Sequence, residues 1–110
     1  MKELWTMPEL LEQMEHHSPV FLFFYTPLCG TCDLAKEFLL IVETMDEIPP
    51  IYQVDINLLK GKVDHWRITS VPCLLKVEKE GYNEKLYAFQ SVTNVYHFIK
   101  GQGADRHESP

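Results

Sequence analysis

Apolar residues fall along this chain in two rhythms, one unbroken and one with helical spacing, and the switches between them lay out the elements. Val20 to Tyr25 is continuously apolar and aromatic. A run of that length without alternation reads as a strand covered on both faces, as in a parallel sheet. Upstream, Leu10, Leu11 and Met14 give an apolar face behind Thr6 and Glu9, which form an S/T-x-x-E capping box. A first helix is therefore predicted from Thr6 to the His16-His17-Ser18-Pro19 stretch. Met1 to Trp5 can supply a short edge strand before it. Downstream, Leu34, Phe38, Ile41, Val42 and Met45 recur at helical spacing with Asp33, Lys36, Glu37 and Glu43 between them. This predicts a second helix from about Gly30 to Met45, ending ahead of Pro49-Pro50. Ile51 to Ile56 then reads as a strand, completing a β-α-β unit whose crossover should be right-handed.

The pattern weakens over Asn57 to Arg67, where a helical tint around Lys62 to Trp66 is interrupted by Gly61. Leu74 to Glu78 begins another strand, Glu80-Gly81-Tyr82-Asn83 is a turn, and Lys85 to Phe89 returns as its hairpin partner. Ser91 can cap a last helix in which Val92, Val95, Tyr96 and Ile99 share a face, closed by Gly101. There is no internal repeat and no linker. The economical solution is an α/β fold, a mixed central β-sheet flanked by helices on both faces. Residues 1–101 make one domain, and the polar residues 102–110 a flexible C-terminal tail.

Composition narrows the partners. The chain has 110 residues, enough to bury roughly two thirds of its unfolded surface without metals or structural disulfides. A formal charge of -6 argues against nucleic acid or an anionic membrane as the main partner. No apolar stretch approaches the ~20 residues that span a bilayer. Met1 to Met14 carries Glu3, Glu9 and Glu12 rather than a basic-then-apolar signal layout, so a cytoplasmic location is expected. In that compartment, three cysteines point to redox chemistry, a metal or core packing rather than a disulfide framework.

Cys29 and Cys32 carry the candidate chemistry, spaced C-x-x-C where the apolar strand gives way to the second helix. As a staple the pair is weak, because closing so short a loop is worth only roughly 2 kcal/mol. As a zinc half-site it lacks a second Cys/His pair: Cys73 could be a third ligand, but His16, His17, His65, His97 and His107 follow no ligand spacing. The redox reading has a mechanism. A cysteine at the N-cap or first turn of a helix meets unpaired amides and the positive end of the dipole, which stabilise a thiolate. The first sulfur is reachable, and the second lies one turn on, beneath it, placed to attack a mixed disulfide. Gly30 keeps the approach to Cys29 open.

With the later Val71-Pro72 pair and the Val54-Asp55-Ile56 strand, these features resemble the thioredoxin family, and within it the small stand-alone bacterial thioredoxin-like proteins. The resemblance runs from about Leu4 to Lys100. It implies a thioredoxin fold, with Cys29 as nucleophile and Cys32 as resolving thiol. It also implies a cis peptide before Pro72, that proline packed against the cysteines, and Val71 pairing its backbone with a substrate chain. Leu28, Gly30, Thr31, Val71 and Pro72 would form the substrate lip. No G-x-G-x-x-G is present, so no cofactor is expected; an upstream reductase or low-molecular-weight thiol would supply electrons.

The chain also departs from the family pattern. Where a typical member has W-C-G-P-C, this one has Leu28-Cys29-Gly30-Thr31-Cys32. The family's buried Asp beneath the second cysteine aligns with Phe23, and the accompanying Lys with Ile51. Losing both ends of a buried pair need not lower stability, but it removes the obvious proton acceptor for Cys32 and predicts slower resolution of a mixed disulfide. Cys73 reads either as a small buried hydrophobe or as a third redox thiol. Phe21, Phe24, Phe38 and Trp66 read as core, since no basic stripe accompanies them. Asp33 and Lys36 belong to the exposed face of the second helix, near enough to the thiols to tune them. The leading function is thiol–disulfide oxidoreduction on protein or small-molecule disulfides. The rival is a thioredoxin-fold adaptor or binding module with vestigial or regulatory cysteines.

Overall fold

A computed structural model describes residues 1–59, 66–78 and 83–101. Its elements run β1 (Lys2–Glu3), α1 (Met7–His16), β2 (Val20–Tyr25), α2 (Gly30–Glu43), β3 (Ile51–Asp55), a 3-10 turn (Ile56–Leu59), β4 (Cys73–Val77), β5 (Glu84–Leu86) and α3 (Val92–Lys100). The expected helical tint over Lys62–His65, the Glu80–Tyr82 part of the turn and the tail at 102–110 lie outside the described residues.

The caps form as their residues dictate. Glu9 N–H donates to Thr6 Oγ1 at 3.3 Å and Thr6 N–H donates back to Glu9 Oε1 at 3.1 Å, which sets the start of α1. Ser91 and Asn94 exchange the same pair of bonds at the start of α3. Gly101 ends α3 at φ 68°, a left-handed position that a side chain would strain. β3 stops at Asp55 because its carboxylate turns the chain, accepting from Asn57 N–H at 3.0 Å.

The sheet order is β1-β3-β2-β4-β5. β1, β3 and β2 run parallel, while β4 is antiparallel to both β2 and β5. β2 lies at the centre, which explains its unbroken apolar sequence. Val20, Leu22 and Phe24 face one layer with Leu10 of α1 and Cys73 and Leu75 of β4. Phe21 and Phe23 face the other with Leu39 and Val42 of α2 and Phe98 of α3. Helices thus cover both faces, and each fully buried β2 aromatic contributes about 1.5–3 kcal/mol.

The sequence reading needs three adjustments. α2 buries Cys32, Ala35, Leu39 and Val42, and leaves Leu34, Ile41 and Met45 exposed. The small Cys32 and Ala35 let the helix seat closely on the sheet, and that turns the larger residues outward. α2 also ends at Glu43, where the Thr44 hydroxyl donates to the Ile41 carbonyl at 2.6 Å. β5 is shorter than Lys85–Phe89, because the chain leaves the ladder after Leu86 to reach the α3 cap. Phe89 instead packs edge-on against Phe23, with centroids 5.9 Å apart.

Candidate functional site

β2 ends at Tyr25 and the chain turns through Thr26, Pro27 and Leu28 before α2 begins at Gly30. Cys29 is the N-cap, with extended φ -120° and ψ 105°. Its sulfur takes the position of a capping oxygen and accepts from Cys32 N–H at 3.2 Å. Its carbonyl accepts from Asp33 N–H at 3.1 Å, and Thr31 Oγ1 lies 3.5 Å from the sulfur. An amide aimed at the sulfur, together with the helix dipole, favours a thiolate there when the pair is reduced.

Cys29 and Cys32 form a disulfide across a Cα separation of 5.2 Å. Cys29 is half-buried and Cys32 only 2% exposed, so one sulfur is reachable and the other sits beneath it. Leu28 is fully exposed at 106%, with φ 60° in the left-handed region. Gly30 and Thr31 are exposed, and a methyl added at Gly30 would meet nothing within 4 Å. The glycine is therefore not required by the chain's own packing.

Val71 and Pro72 are half-buried, and the peptide between them is cis. They precede β4, whose first residue, Cys73, pairs with Phe24 near the exit of β2. This register brings Val71-Pro72 to the end of the sheet from which the cysteine loop departs. Leu28, Gly30, Thr31, Val71 and Pro72 thus share one rim of the fold. Cys73 is completely buried, and desolvation pushes its thiol up to about 12, against the opposing pull of Tyr87 and Lys85.

Behind Cys32 opens a cleft of about 100 Å³. Its walls come from Phe23 and Tyr25 of β2, Gln53 of β3, and Cys32, Asp33 and Lys36 of α2; the turn before Cys29 closes the remaining side. Phe23 is 1% exposed and stacks on Tyr25 at 6.1 Å, so the strand offers no carboxylate beneath Cys32. The residue paired with Phe23 across β2 and β3 is Gln53, not Ile51, which pairs with Phe21 in the core. Gln53 Nε2 and the Tyr25 hydroxyl both donate to the Glu3 carboxylate, the latter at 2.7 Å. Burial first, then the Glu3 hydrogen bond and the charges of Glu3 and Asp55, raise the Tyr25 hydroxyl well above its ordinary range. Sequence reasoning missed this Glu3-Tyr25-Gln53 cluster. Its members lie far apart in the chain, and only the strand order joins them.

No group of three or more His, Cys, Asp or Glu side chains able to hold a metal forms among the described residues. No described helix is long and apolar enough to cross a membrane.

A family model described as Thioredoxin matches residues 6–101. The chain is 37% identical over 97 residues to "Thioredoxin-like protein YusE" of Bacillus subtilis (strain 168), covering 86% of this chain and 92% of that protein. The solution structure of oxidised thioredoxin from Plasmodium falciparum superposes with a TM-score of 0.78 at 16% identity, covering 92% of this chain and 96% of that one. Reduced Schistosoma mansoni thioredoxin superposes with a TM-score of 0.68 at 22% identity, covering 92% and 93%. At these identities the two structures speak to the fold alone.

Proposed function

The chain belongs to the thioredoxin family, and on that premise we propose that it is a thiol–disulfide oxidoreductase that reduces or exchanges disulfides in protein or small-molecule substrates. The observation that carries this is the placement of the pair: a reachable Cys29 sulfur capping α2, bonded to a buried Cys32. Once the pair is reduced, the Cys29 thiolate attacks a substrate disulfide, forming a mixed disulfide and releasing the first substrate thiolate. Cys32 then loses its proton and attacks Cys29, which re-forms the pair and expels the second substrate sulfur. Two electrons pass from the pair to the substrate. They return from an upstream reductase or a low-molecular-weight thiol.

Leu28, Gly30, Thr31, Val71 and Pro72 serve in this reading as the substrate lip, with the Val71 backbone pairing to an extended substrate segment. The exposure of Leu28 and the shared rim support it. Residues 1–101 work as one domain, in the cytoplasm. The test is reduction of insulin disulfides by the wild type and by Cys29→Ser, each with several reductants. Activity that Cys29→Ser abolishes is the expected result.

Phe23, an apolar residue beneath Cys32, favours a second reading as an adaptor that keeps the fold's binding rim without fast redox turnover. Equal inactivity of wild type and Cys29→Ser, with partner binding intact in both, would select it.

A further inference from the structure

Resolution of a mixed disulfide requires Cys32 to give up a proton, and the β2 strand offers no acceptor beneath it. Phe23 fills that place, buried, stacked on Tyr25 and met edge-on by Phe89. What the structure offers instead is the cleft beside Cys32. Its volume of about 100 Å³ well exceeds the ~10–15 Å³ that one water needs, and Asp33, Lys36 and Gln53 line it with polar groups.

Among the side chains lining this cleft, Asp33 is the one that can take a proton. Lys36 presents an ammonium, which has donors only, and the Gln53 amide is not a base. The Tyr25 hydroxyl is committed as donor to Glu3, whose carboxylate is in turn engaged by Gln53. We propose that Asp33 is the proton acceptor for Cys32, reached through water in the cleft, and that it does the work of the buried carboxylate this chain lacks. The proposal rests on the reading of Cys32 as the resolving thiol.

The step balances. The Cys32 S–H proton passes through water to the Asp33 carboxylate. The thiolate attacks Cys29 Sγ, the bond from Cys29 to the substrate sulfur breaks, and the electron pair leaves on that sulfur. The expelled thiolate takes a proton from Asp33 or from solvent. The groups facing Asp33 and Cys32 are Lys36 on α2, neutral Gln53 on β3, and Tyr25 on β2 with Glu3 of β1 behind it and Asp55 beyond.

The experiment is rapid acid quench of the reduced protein mixed with hydroxyethyl disulfide. Mass spectrometry then resolves reduced, mixed-disulfide and oxidised protein at each time and pH. Asp33→Asn, at an exposed position, should accumulate the Cys29 mixed disulfide at pH 7, with its decay slowed about tenfold. The decay should recover as pH rises and hydroxide replaces the missing base. Asp33→Glu should restore most of the rate. A mixed disulfide that decays in Asp33→Asn at the wild-type rate across the pH range overturns the role of Asp33. A wild type that yields neither the mixed disulfide nor the oxidised Cys29–Cys32 pair overturns the oxidoreductase reading itself, so the two failures are distinguishable.

Discussion

Cys73 stands directly opposite Phe24 in the antiparallel β2–β4 ladder, and neither side chain reaches solvent. This pairing does two things at once. It fixes the start of β4 beside the exit of β2, which sets Val71-Pro72 on the rim that carries the cysteine pair. It also inserts the third thiol into the layer formed by Leu22, Trp66 and Leu75, as a small hydrophobe.

The burial of Cys73 makes its reactivity predictable. With its thiol pushed up to about 12, it has almost no thiolate near neutrality and no path to a reagent. Iodoacetamide should label Cys29 in the native reduced protein and Cys73 only after denaturation, as peptide mapping would reveal. Cys73→Ala should leave disulfide reduction within twofold of wild type and lower stability by about 1 kcal/mol, the loss of one small buried group.

The same burial predicts sensitivity to alkali. Cys73, Tyr25 and Tyr52 all hold their protons in the folded state more tightly than the unfolded chain does, chiefly through desolvation. Above about pH 9 the unfolded chain therefore binds fewer protons, and stability falls as pH rises. The contribution from Cys73 is fully present below that range and is lost as pH climbs toward about 12. Urea midpoints should be flat from pH 7 to about 8.5 and decline above it, with Cys73→Ala reducing the slope.

What the sequence made legible follows from how local each determinant is. The capping box at Thr6 and Glu9, the Ser91 cap, and Gly101 closing α3 all act within a turn of their own position, and each was readable. Central β2 was readable because burial on both faces leaves no polar residue in Val20–Tyr25. The face of α2 was misjudged because Leu34, Ile41 and Met45 share a periodicity with the buried stripe, and only the seating of Cys32 and Ala35 decides between them. The cysteine pair was legible as a spacing. The cleft behind it was not, since Glu3, Tyr25 and Gln53 meet only through strand order and register.

Lys85 gives a further test of how the rim is held. Its ammonium donates to the Trp66 carbonyl at 2.9 Å and the Arg67 carbonyl at 3.3 Å, tying β5 to the segment that leads to Val71-Pro72. The Tyr87 hydroxyl adds a second tie by accepting from Thr69 N–H at 3.2 Å. Lys85→Met should cost about 1–2 kcal/mol, since bonds to a charged group are lost and the carbonyls can partly rehydrate. Hydrogen exchange should rise over residues 66–72 while α2 keeps its protection. Insulin reduction should fall more than the alkylation rate of Cys29, because the proposed lip at Val71-Pro72 loosens and the cysteine cap does not.

Leu28 combines two costs that packing does not offset. A large apolar side chain is fully exposed, and its backbone at φ 60° sits in a region that disfavours residues with a Cβ by roughly 1–2 kcal/mol. That strain sits next to the Cys29–Cys32 pair, where a function can offset it. Asn tolerates the left-handed region better, so Leu28→Asn should raise stability by about 0.5–1 kcal/mol, a few degrees in Tm for a domain of this size. The same change removes apolar area from the proposed lip, so KM for insulin should rise several-fold. Hydroxyethyl disulfide is too small to span the lip, and its reduction should stay within about twofold. The two substrates separate the possible roles. If both rates fall together, Leu28 acts on the reactivity of the cysteine pair; if only insulin is affected while Tm rises, it is a docking residue held in place against its own backbone preference.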